Sequence, residues 1–204
     1  NVGYGGGGYG LFAYGTPRAD TGTVSPATTW SLDTWGEYLL GCASKDGKIY
    51  EWDLNTSNDA LVLSNAPVSN KAILVTAERF VFALGASGNG RKVAWSDQED
   101  NNTWTPAIEN QAGDQELETN GSIVCGKRLR GINLIFTDVD VHSAQYQGPP
   151  YVYGFERLAT GCGVISAQAV AAVEAAGVDP GLRHLANSAA ALRFPEMRLD
   201  RVRT

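Results

Sequence analysis

The feature that most constrains this chain is a hairpin that recurs every 40 to 50 residues. Glu37 to Ser44 is a short strand pattern, Asp46-Gly47 a turn signal, and Lys48 to Asp53 a second strand ending on Trp52. Two β-rich runs joined by Asp-Gly predict a hairpin, because that dipeptide tolerates positive φ at the turn. A second copy runs from Glu78 to Gly85, turns through Ser87-Gly-Asn-Gly90, and returns over Arg91 to Asp97 through Trp95. Trp95 lies 43 residues beyond Trp52. A looser third copy is Ile132 to Thr137, a turn at Asp138-Val-Asp140, and Val141 to Tyr146. Strand-rich units of this period are the size of β-propeller blades, small sheets that must stack to bury their faces. The competing reading is an antiparallel sandwich whose hairpins happen to look alike.

Composition supports an all-β chain and sorts it into three parts. Gly numbers 24, charged residues are 19%, and all five tryptophans precede residue 105. Residues 1–29 form a Gly/Tyr-rich segment, with seven glycines and three tyrosines before residue 16. Gly3, Gly5 and Gly8 match a dinucleotide-binding spacing there, but neither the strand nor the helix that motif requires is present. Residues 30–166 hold about three blade-like repeats. Residues 167–204 turn Ala- and Arg-rich, with helical signals over 168–176 and 180–192. The expected fold is thus a partial β-propeller of antiparallel blade-like sheets, with a short helical tail.

The net charge of −6 argues against a general nucleic-acid binder, which neutralises phosphates with clustered Lys and Arg. No apolar run approaches the roughly 20 residues of a membrane span, so no membrane partner is expected. No cofactor and no catalytic residue are assigned. Cys162, between two glycines and without a candidate base, reads as a packed thiol. Asp97, Glu99 and Asn101 start like a calcium loop but lack its later ligands. The one constellation proposed for a metal is Asp138, Asp140 and His142, which alternation would place on one side of an extended segment. The plainer reading, favoured here, is a hairpin turn with solvated acids. Trp35, Trp52, Trp95 and Trp104 are expected as core or inter-blade anchors.

An ordered run of blocks then carries a resemblance. It comprises Trp30-Ser-Leu-Asp-x-Trp35-Gly-Glu, Ile49-Tyr-x-Trp52, Asn65-Ala-Pro67, Val75-Thr-x-Glu-Arg-Phe80 and Ala83-Leu-Gly85. It continues through Trp95-Ser-Asp-Gln-Glu-Asp100, Trp104-x-Pro106, Asn110-x-Ala-Gly113, Ile135-Phe-Thr-Asp138 and Cys162-Gly-Val-Ile-Ser166. Over roughly residues 3–172 the chain resembles a family of tailed-bacteriophage virion structural proteins, in which some short-tailed phages build tail nozzles from propeller-like subunits. The resemblance implies a non-enzymatic component of the tail or head-to-tail region, assembled in the host cytoplasm. Its partners would be other virion subunits in a homo-oligomeric ring. The alternatives are a cellular β-propeller interaction scaffold and a carbohydrate-active propeller enzyme. After Ser166 the pattern departs from the family's, so residues beyond about 175 are expected to be foreign to it. Three blades fall short of closure, and the chain opens on Asn1. A piece of a longer protein is the expectation.

Overall fold

The structure, a computed structural model, describes residues 28–129 and 131–170. Twelve strands among them form three four-stranded antiparallel meanders, each wound in sequence order. The first sheet contains β1 (Trp30–Trp35), β2 (Tyr38–Ala43), β3 (Ile49–Trp52) and β4 (Leu61–Val62). The second contains β5 (Ala72–Val75), β6 (Val81–Leu84), β7 (Lys92–Trp95) and β8 (Gly113–Glu116). The third contains β9 (Ile123–Leu129), β10 (Ile132–Thr137), β11 (Asp140–Gly148) and β12 (Val152–Thr160). Each expected hairpin is therefore the central pair of a sheet. The glycine-rich start and nearly all of the Ala/Arg-rich tail, with their calls, lie outside the described residues; residues 167–170 are helical.

The sheets stack in chain order, and each has a near face toward the preceding sheet and a far face toward the following one. Between the first two, Leu40, Cys42 and Ile49 pack on Ile73, Val75, Val81 and Ala83. Between the second and third, Phe82, Val93 and Trp95 pack on Ile135, Ala144 and Tyr153. Buried on both sides, β5 and β6 are apolar at every position, Ala-Ile-Leu-Val and Val-Phe-Ala-Leu. A half-buried strand would alternate with polar residues instead.

Aromatic rings concentrate at the second boundary. Tyr153 meets Phe82 edge-on at 4.7 Å and Phe80 at 5.3 Å, with Trp95 at 5.8 Å. Its hydroxyl donates to Thr76 Oγ1 at 2.9 Å, which lets a phenol sit in a core without an orphaned donor. The β7–β8 loop covers the first boundary, where Trp104 is buried and donates to the Asn101 carbonyl at 2.7 Å. The Asn101 amide in turn donates to Glu51 Oε2 of the first sheet.

Two sequence expectations change at this level. The four tryptophans do not share one role. Trp35, Trp95 and Trp104 are buried between sheets, but Trp52 is half-buried on the near face of the first sheet, away from the second. Trp52 pairs with Leu39 and Trp95 with Phe82, so the two tryptophans match in sequence while pointing to opposite sides of the stack. Side chains alternate with period two, and a one-residue difference in register swaps the face.

Asp46-Gly47 is also no two-residue turn: five residues separate Ala43 from Ile49. Asp46 accepts from the Lys48 N–H and from the Tyr50 hydroxyl, and Gly47 alone takes positive φ, at 63°. A Cβ on Gly47 would lie 2.5 Å from the backbone of Ser69 and Asn70, while the Gly47 carbonyl accepts from the Asn70 N–H at 2.9 Å. The hairpin of the first sheet is thereby docked on the approach to the second. Gly47→Ala should cost about 2–3 kcal/mol in denaturant unfolding, from strain plus the lost docking; an effect within error of zero would show that the contact is not needed.

Candidate functional site

The first strands of the sheets lie side by side, β1 against β5 and β5 against β9. Together with residues 166–168 they line an open groove of about 880 Å³. This arrangement creates a backbone problem, because β5 is the outermost strand of its sheet and leaves one row of N–H and C=O groups unpaired by strand ladders. Side chains from both neighbours solve it. Asp33 Oδ2 accepts the Val75 N–H at 2.7 Å, and Ser31 Oγ lies 3.2 Å from both the N–H and the carbonyl of Ile73. From the third sheet, Arg128 Nη1 donates to the Val75 carbonyl at 3.2 Å.

The charge of the groove does not follow the charge of the chain. Among the described residues its lining includes Lys71, Lys127 and Arg128 but one carboxylate, Asp33. The basic lining is local. Net charge is a sum over the surface, and the acids lie mostly in connectors such as Asp97 to Asp100. One carboxylate that is already bonded to a backbone N–H supplies no acid–base pair in the groove, where glycoside hydrolysis uses two.

The residues proposed for a metal separate into two environments. Asp138 is exposed in the β10–β11 turn, and its Oδ1 accepts the Ser122 N–H at 2.7 Å. Asp140 is 2% and His142 3% exposed, with His142 Nε2 3.1 Å from Asp140 Oδ1. The reading of solvated turn acids fits Asp138 and fails for Asp140. Thr119 donates its hydroxyl to the Asp140 carboxylate at 2.9 Å, and the Thr137 hydroxyl lies 2.5 Å from Oδ1. Thr119 stands where the chain leaves the second sheet, so the buried acid ties the entry of β9 to β11. Among the described residues no three of His, Cys, Asp and Glu come together as a metal site. The acids of the Asp97 to Asn102 loop are likewise engaged with protein groups: Asp97 Oδ1 accepts the Gln98 and Gln111 N–H groups, Asp100 accepts from Asn102 and Thr103, and Glu99 faces Arg79.

The cysteines are poor nucleophiles. Burial pushes the Cys42 and Cys125 thiols up to about 11. Cys162 is also raised, by burial first and then by the negative charge of Asp140. Sequence reasoning missed Ser31, Asp33 and Arg128 altogether. The available signal was the polar alternation of Trp30-Ser-Leu-Asp, which places both polar side chains on the face toward the second sheet.

A scan against models of known protein families finds no match, and neither does a comparison with curated proteins. Fold and site define an all-β protein of stacked four-stranded meanders around a mildly basic groove.

Two outcomes test this geometry. Asp33→Ala should destabilise by about 1 kcal/mol and speed amide exchange at Val75 above all other β5 amides; uniform exchange along β5 would refute edge protection by Asp33. For Asp140, burial raises the carboxyl pKa, but the Thr137 and Thr119 hydroxyls and His142 outweigh it and hold the group below its ordinary 3.8. A depressed folded pKa means that the contribution is complete above the unfolded value and is lost as pH falls through the folded one. Acid titration of stability should therefore show a decline below pH 4. Asp140→Asn should flatten it while costing about 2 kcal/mol at neutral pH.

Proposed function

We propose that this chain is a non-enzymatic structural subunit of a tailed-bacteriophage particle, placed in the tail or the head-to-tail region. In this reading the three meanders are blades of a partial β-propeller, and their outer surfaces make subunit contacts with other virion proteins. The observation that carries the reading is the stack itself, with the first strand of every sheet on one groove and broad apolar boundaries between the sheets. That design supplies rigid surface and engages Ser31, Asp33, Arg128, Thr119 and Asp140 in holding sheets together. The ordered sequence blocks that resemble virion proteins fall on this framework: Trp30 to Trp35 forms β1, Val75 to Phe80 joins β5 to β6, and Ile135 to Asp138 closes β10. Asp33, the one carboxylate among the described residues that line the groove, is bonded to the Val75 N–H, which favours a structural role over a carbohydrate-active one.

Mass spectrometry of gradient-purified particles should detect peptides from residues 30–160 at a fixed ratio to the major tail proteins. Their absence from intact particles, with the protein present in infected-cell lysate, would overturn the reading.

A further inference from the structure

We propose that the near face of the first sheet carries a pocket for an arginine side chain of a partner protein. Trp30 and Tyr50 meet there at 5.6 Å, and with Trp52 they wall a shallow pocket of about 300 Å³. Its floor includes Gly41. A Cβ on Gly41 would lie 3.0 Å from Leu32 Cδ2 and 3.3 Å from Trp30 Cε3, so the bare backbone lets both side chains settle onto β2. Glycine inside a strand marks such a close approach. Trp52 is fixed by the loop that follows it: its indole N–H donates to the Asn55 carbonyl at 3.1 Å and to that of Asn58 at 3.0 Å. Asp53 braces that loop, accepting from the Asn55 N–H and the Asn58 amide. The Trp52 wall is therefore set before any ligand arrives, while Trp30 remains 54% exposed.

The polar groups around the pocket select the charge of its ligand. The Tyr50 hydroxyl donates to Asp46, the Trp52 indole to the loop carbonyls and the Asn58 amide to Asp53, so these donors are already committed. A neutral polyol, which is held by donors as well as acceptors, is poorly served. The Asp59 carboxylate on the rim makes no hydrogen bond or ion pair among the described residues. No Lys or Arg is among the described residues that line the pocket. Aromatic rings beside an uncompensated carboxylate suit a guanidinium, which is planar, weakly hydrated and stacks on ring faces. The other end of β1 holds the completed arrangement. There the Arg79 guanidinium lies 4.4 Å from the Trp35 ring, with its Nε 3.9 Å from a Glu99 carboxylate oxygen. Among the described residues the pocket at Trp30 has the ring and the acid of that trio without the arginine. Arginine is also enriched at protein interfaces, which makes a partner's side chain the fitting occupant. The inference concerns this pocket alone and stands whether or not the chain is found in phage particles.

The test titrates the full chain with N-acetylarginine amide and follows the tryptophan indole N–H signals by NMR. N-acetylcitrulline amide serves as the uncharged isostere. Arginine should shift the Trp30 and Trp52 signals saturably, with a dissociation constant of about 10 mM or below, and citrulline should bind about threefold more weakly or worse. Asp59→Asn should weaken arginine binding about threefold and Trp30→Leu about tenfold. Both positions are exposed, so circular dichroism and cooperative unfolding should be retained in the variants. Added salt should weaken the arginine complex and leave the citrulline complex unchanged. Equal binding of the two probes, or arginine binding untouched by Asp59→Asn, would overturn the assignment of a cation. A pocket covered by another part of the chain would give no saturable shift, and that outcome would overturn the proposal as well.

Discussion

A four-stranded meander of short strands has two faces and cannot bury either alone, and every other feature of this molecule follows from that deficit. The second sheet resolves it most fully, with neighbours on both sides. Small residues, Ala83 and Ala94, face the first sheet, while Phe82 and Trp95 face the third. The division explains why the aromatic network sits at one boundary only. It also gives the sheets distinct sides, so that the stack has a direction from Trp30 to Thr160.

Polar groups in this interior work as joints. Asn70, 3% exposed, donates to the Gly47 and Pro67 carbonyls and fixes the passage from the first sheet to the second. The Thr119–Asp140 pair fixes the passage from the second to the third. Arg79 joins the first two sheets from outside, its guanidinium 4.4 Å from the Trp35 ring and its backbone carbonyl bonded to the Glu99 N–H. Each joint uses groups distant in sequence, and each occupies side chains that an isolated reading of motifs would offer to a ligand.

The hairpins β2–β3, β6–β7 and β10–β11 were legible because their apolar runs and turn residues are local signals. The remaining strands were not. Leu61–Val62 is two residues long, and Gly113–Glu116 is polar because it forms an exposed edge. The opposite orientations of Trp52 and Trp95 were hidden for a different reason: facing depends on cross-strand register, which loop lengths adjust without changing the spacing of the tryptophans. Asp140 illustrates a third limit. Its neighbours in sequence suggest a wet turn, and the burial is satisfied by the Thr137 hydroxyl and His142 together with the hydroxyl of Thr119, 21 residues away. The groove's basic lining was equally invisible, since stacking alone brings Lys71 beside Lys127 and Arg128.

The side chains that close the edge of β5 have a consequence for how such molecules can vary. Ser31, Asp33 and Arg128 meet particular backbone groups of Ile73 and Val75, so neighbouring sheets recognise one another by donor and acceptor as well as by shape. Exchanging the order of the three meanders would set alanine faces against aromatic ones and would also leave those amides and carbonyls facing the wrong partners. The stack thus behaves as a lettered sequence of parts, and a duplicated or transplanted sheet would need its own Ser-x-Asp signature to be read in the right place.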